Sequence, residues 1–183
     1  QDPDVHPNAI DKVGDLVDAD CAGDTDFDLD GDGLPNSVPE LANELGLPIN
    51  DCSGNQVTHT VGVSGDYPDI RSAIAAASRC DTVLVEGGDY NDFTVDKALV
   101  VAAEPGHEVR IIAGPGELVG VRVTADDVLL AGLTIEGYNV GVDTAGTTVL
   151  DRVTIRDVDV GVSSVDHLLL IFGLELSDSA VGI

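Results

Sequence analysis

The sequence predicts an all-β fold: a parallel β-helix with three short strands per coil and about five coils, capped by a helix and preceded by a small, loop-rich acidic module. Three observations predict it. Val119-Gly120-Val121 recurs as Val140-Gly141-Val142, Val160-Gly161-Val162 and Val181-Gly182-Ile183, at spacings of 21, 20 and 21 residues. A fixed period of that length marks a stacked repeat, because one such unit cannot bury its apolar face alone. Within each period apolar residues alternate with others: Leu133 and Ile135 inward with Thr134 outward, Val140 and Val142 inward with Gly141 outward. Finally, the chain is 43 % hydrophobic but only 3 % aromatic, which suits inward aliphatic side chains stacking from coil to coil.

The chain divides by charge. Residues 1–52 hold fourteen acids against the single base Lys12, and residues 53–183 hold twenty against seven. The net charge of -26 repels nucleic acid and anionic membranes, so neither is an expected partner. Cations are. No apolar run is long enough to span a bilayer.

In the first region, residues 1–52, Asp24, Asp26, Asp28, Asp30 and Asp32 fall at strictly alternate positions. Asp28, Asp30 and Asp32 take positions 1, 3 and 5 of an EF-hand-like loop, with Gly33 at position 6 for the sharp turn. Alternate side chains on a curled loop converge on one point, and a hard cation with 6–8 oxygen ligands suits them. Leu34 would add its carbonyl, Asn36 a side-chain oxygen and Glu40 a late carboxylate, one place beyond the usual position. Ser37-Val38-Pro39-Glu40 is also a capping box. Val38, Leu41, Ala42 and Leu45 then recur at helical spacing, and Gly46 with Pro48 ends the helix. Calcium is therefore expected here. His6 precedes a proline and reads as a turn residue; hard oxygen ligands argue against copper.

Residues 53–81 form a connector and a capping helix. Asp69 is the expected N-cap, and Ile70, Ala73, Ile74 and Ala77 make the apolar face ahead of a first strand at Thr82–Glu86. Residues 82–183 then form the solenoid, expected to continue beyond the last residue, with an open end that could stack on another copy. The repeat offset sets Glu136, Arg156 and Ser177 in one outward column, with Glu136 and Arg156 as a cross-coil ion pair. Gly120, Gly141, Gly161 and Gly182 form another outward column, read as a bend or a close approach of another surface. Asp157 and Asp159 fall at a corner, and His107 and His167 read as surface or turn residues. Asp151, Arg152, Arg156, Asp157, Glu136 and Glu175 are the acids and bases available for catalysis. They do not make a tight catalytic pair, so the reading leans against an enzyme.

Of the three cysteines, Cys21 with Cys52 would staple the acidic module, Cys52 with Cys80 is the alternative, and one thiol is left over. Sequence does not choose between them.

The residues also carry resemblances. Asp28 to Asn36 resembles the calcium loops of thrombospondin type 3 repeats. "DPDVHPNAID" followed by "DLVDADCAGDTDFD" resembles an Asp- and Cys-rich metal-binding repeat of secreted bacterial surface proteins, matched by Asp11 after His6-Pro7-Asn8-Ala9 and by Asp15, Asp18, Asp20 and Cys21. Gly14 stands where that repeat has its earlier cysteine. The resemblance implies a second ion at Asp2, Asp4 and Asp11 and a third at Asp18, Asp20, Asp24 and Asp26. It begins mid-motif, so a longer parent chain is expected. "DYPDIRSAIAAASRCDTVLVEGGDY" through "TVDKALVVAAEPG" resembles the N-terminal cap and first coils of the pectin lyase-like right-handed β-helix superfamily, over about residues 57–183. That superfamily hosts lyases, hydrolases, esterases, adhesins and plain surface modules, so it implies fold rather than function.

Together these readings predict a secreted or cell-surface calcium-binding protein, holding more than one ion, with a structural, adhesive or carbohydrate-binding role. Polysaccharide or another surface protein is the expected further partner. The alternatives are a carbohydrate-active enzyme (polysaccharide lyase or hydrolase) whose active face extends beyond this segment, and a subunit of an extracellular fibre or sheath.

Overall fold

The computed structural model describes residues 56–165 and 167–181. Among the described residues fourteen strands and one helix follow in order: β1 (Thr58–Val61), α1 (Ile70–Ala76), β2 (Thr82–Val85), β3 (Gly88–Tyr90), β4 (Phe93–Val95), β5 (Val100–Ala103), β6 (Val109–Ile112), β7 (Val119–Val123), β8 (Val128–Ala131), β9 (Leu133–Glu136), β10 (Val140–Thr144), β11 (Thr148–Asp151), β12 (Thr154–Ser164), β13 (Leu169–Phe172) and β14 (Glu175–Val181). Every strand pairing is parallel. The expected parallel β-helix is the fold.

Two sheets wrap the core. The first is six-stranded, in the order β1-β2-β5-β8-β11-β13, one strand from each successive coil. The second is ordered β3-β6-β9-β12-β10-β7-β4, with β14 beside β12. The long β12 explains that order. Its first half pairs β9 and its second half pairs β10, so one continuous strand joins two stacks that are separate in the earlier coils. Each full coil therefore supplies three strand segments. From Thr82 onward five coils stack, as the repeat predicts. A sixth rung, β1, lies before the helix and pairs β2, so Thr82 does not open the first strand. The single His59 and polar Thr58 and Thr60 hide β1 from an apolar pattern search.

The core forms because the repeat places apolar residues inward at matching heights. Val83, Val101, Leu130 and Leu150 stack through the first sheet, and Ile111, Ile135 and Ile155 through the second; all are buried in one cluster. Burying each such side chain contributes roughly 1.5–3 kcal/mol.

The helix α1 closes the N-terminal end. Asp69 Oδ1 accepts the Ser72 N–H at 2.8 Å, as a helix N-cap does. Ile70, Ala73 and Ile74 are buried against the first coil. At the other end Lys97 Nζ donates to the carbonyls of Ile74 and Ala77 at 2.9 and 3.0 Å. Those are carbonyls that a helix end leaves without an internal partner.

Candidate functional site

All the residues predicted to hold calcium lie outside the described residues: Asp2, Asp4, Asp11, Asp18, Asp20, Asp24, Asp26, Asp28, Asp30, Asp32, Leu34, Asn36 and Glu40. The same holds for His6, the helix expected after Ser37, Gly182 and the cysteines Cys21 and Cys52. Among the described residues no group of three or more His, Cys, Asp or Glu side chains could hold a metal ion.

One disulfide expectation changes. Cys80 is disulfide-bonded, and the chain's other cysteines are Cys21 and Cys52. Its partner is therefore one of those two, which excludes the Cys21–Cys52 staple. Cys80 sits at φ 71° in the turn leading into β2, where it bonds through its N–H to the Ala98 carbonyl at 2.7 Å.

The outward face of the second sheet carries a ladder of charge. Arg110 Nε donates to Asp89 Oδ1 at 2.8 Å, and Arg110 Nη1 lies 3.9 Å from Glu136. Arg156 Nε donates to Glu136 Oε2 at 2.6 Å. The register explains this: Asp89 stands beside Arg110, Glu136 beside Arg156, and Arg156 beside Ser177. Thus the predicted column and its ion pair are both present. On the neighbouring stack Arg122 meets Asp143 at 2.8 Å. The arginines are 37–49 % exposed, so water screens these pairs and each adds little to stability.

The other candidate acids and bases do not converge. Asp151 is buried and pairs with Arg152 at 3.2 Å. Asp157 adopts φ 54°, which makes the bend expected at that corner, and Glu175 is exposed. His107 is exposed and bonds Glu104, while His167 is exposed.

The glycine column faces the opposite way from the expectation. Gly120, Gly141 and Gly161 are buried. A Cβ on Gly120 would stand 2.6 Å from Ile135 Cγ2, and one on Gly141 would stand 2.5 Å from Ile155 Cγ2 and 2.7 Å from the Gly161 carbonyl. The core isoleucines and the next coil's backbone fill the space that a side chain would need. Close approach keeps glycine at Gly120 and Gly141, and the approaching surface belongs to this chain.

A buried polar cluster escaped sequence reading altogether. His59 Nε2 donates to Asp81 Oδ2 at 2.9 Å, and the Tyr67 hydroxyl lies 3.3 Å from His59 Nδ1. Asp81 also accepts the N–H groups of Val57 at 3.0 Å and Ser78 at 2.7 Å. Burial acts to raise the Asp81 pKa, but the bonds from His59 and the two backbone amides outweigh it and hold the carboxyl below its usual value. The cluster resembles a catalytic dyad in composition only. Each Asp81 oxygen is occupied by donors that tie β1 to the α1–β2 turn, so the arrangement is a structural clasp. Its members lie 22 residues apart with no motif between them; only the adjacency of β1 and β2 reveals it.

Comparison with protein-family models, curated proteins and solved structures finds no match for this chain.

Proposed function

We propose that this chain is a calcium-binding β-helix protein of the secreted or cell-surface kind, with a structural, adhesive or carbohydrate-binding role. The observation that carries the reading is the spacing Asp28, Asp30, Asp32, Gly33, Asn36 and Glu40. Alternate carboxylates followed by a glycine give a calcium loop its converging oxygens and its turn. Asp24, Asp26, Asp18 and Asp20, and separately Asp2, Asp4 and Asp11, would serve further ions. Without cations, so dense a run of carboxylates repels itself.

Two observations support the wider reading. The Cys80 disulfide suits an oxidising compartment. The parallel β-helix is compatible with a pectin lyase-like relationship, and the ion-paired outer face of its second sheet offers a polar surface to polysaccharide or to another surface protein.

The test is a calcium titration of the melting temperature, with chelator controls. At a hundred times its dissociation constant, an ion that binds only the folded state stabilises by about 2.7 kcal/mol. For a domain of this size that raises Tm by on the order of 5–10 °C. Asp30→Ala should lose the part of the shift that its loop supplies and Asp157→Ala should keep the whole. An unchanged Tm in the parent chain would end the calcium reading.

A further inference from the structure

The outer face of the six-stranded sheet is apolar and buried. Val100, Ala102, Leu129, Ala131 and Val149 form a cluster separate from the core, each 2 % exposed or less. Their chain neighbours Val101, Leu130 and Leu150 belong to the core. Successive strand residues point to opposite faces, so the cluster lies on the outside of the solenoid. The half-buried residues packed against it are Leu84, Leu170 and Phe172. The register sets Leu84 beside Ala102, Leu170 beside Val149 and Phe172 beside Asp151. All three therefore extend the same face and do not cover it. Asp151, in that face beside Ala131, is only 1 % exposed. A carboxylate on a solvated sheet would not be so enclosed, and all of this burial arises within one chain.

We propose that this outer face is the docking site for segment 38–52 of the same chain. Three observations point to that occupant. Residues 1–55 lie outside the described residues and lead directly into β1, the edge strand of this sheet. The disulfide of Cys80, two residues before β2, the strand next to that edge, joins the stretch containing Cys21 and Cys52 to the same end of the sheet. Segment 38–52 also carries the complementary apolar stripe, Val38, Leu41, Ala42 and Leu45, followed by Leu47 and Ile49.

The distances agree. Six residues from Cys52 to Thr58 reach roughly 20 Å when extended, while β1 to β8 spans three strand spacings, about 14 Å. A helix over residues 38–45 would be about 12 Å long, enough to lie across β5, β8 and β11. The docking needs no bound ion, so it stands or falls apart from calcium binding.

The experiment uses the full chain with a photoreactive benzophenone residue replacing the half-buried Leu84. After irradiation, adducts are mapped by mass spectrometry. Docking predicts adducts within residues 38–52 of the same chain, lost in the double variant Leu41→Asp/Leu45→Asp while the far-ultraviolet circular dichroism stays that of the parent. In the unmodified chain, backbone amides of 38–52 should exchange at least about ten-fold more slowly than in the free peptide. Adducts confined to residues 1–37, adducts joining two copies, or exchange of 38–52 at the free-peptide rate would each overturn the proposal.

Discussion

Asp81 shows how much one buried side chain can organise. It accepts from His59 and from the Val57 and Ser78 amides, so Asp81→Ala leaves three donors unmatched and should cost about 1–3 kcal/mol in urea unfolding. Its pH signature follows from the depressed pKa. The stabilisation is complete above the unfolded carboxylate value of about 3.9 and is lost as pH falls through the lower folded value. Acid titration of the parent and of Asp81→Ala should therefore converge at low pH, and parallel curves down to the acid limit would contradict the assignment. Gly141 is equally constrained. Gly141→Ala forces a Cβ onto Ile155 and the Gly161 backbone, an overpacking that should cost about 1–3 kcal/mol, whereas Glu136→Gln, at a half-buried carboxylate between two exposed arginines, should change stability by about 1 kcal/mol. At this scale the sequence shows which residues repeat but not which way they face. Strict alternation puts Gly141 outside; Ile155 reaching under the strand puts it inside. The Asp69 cap was legible because its partners lie within one turn, and the His59–Asp81 pair was not because its partners meet only after β1 and β2 pair.

Among the elements, α1 depends on its caps at both ends. Asp69→Ala should lower stability by about 1 kcal/mol, seen as a reduced midpoint in urea with an unchanged slope. The core strands respond more strongly. Leu150→Ala removes a fully buried side chain between Leu130 and Ile171 and should cost about 2–5 kcal/mol. The two sheets also differ in how openly their sequence speaks. "LTIE" in β9 alternates between buried and half-buried positions, as a sheet with one wet face does. "VVAA" and "VLLA" are continuous apolar runs, the pattern of parallel strands buried on both faces. Those runs were the available signal for the covered outer face, and a search for alternation passes over them.

For the whole molecule, the repeat spacing made the solenoid and its number of coils legible, because a stacked fold writes its period directly into the chain. The candidate metal centre is legible only as spacing, because its residues all lie outside the described ones. Its electrostatics can still be measured. With a net charge of -26, the chain should be stabilised by calcium well beyond what an equal ionic strength of sodium chloride achieves, because screening weakens repulsion without supplying ligands. The most direct measurement is the number of calcium ions bound per chain, by equilibrium dialysis of the metal-free protein at fixed ionic strength. The account predicts more than one ion per chain, with fewer retained by Asp30→Ala and the full number by Asp157→Ala. Binding of no calcium, or the same number in Asp30→Ala as in the parent, would contradict it.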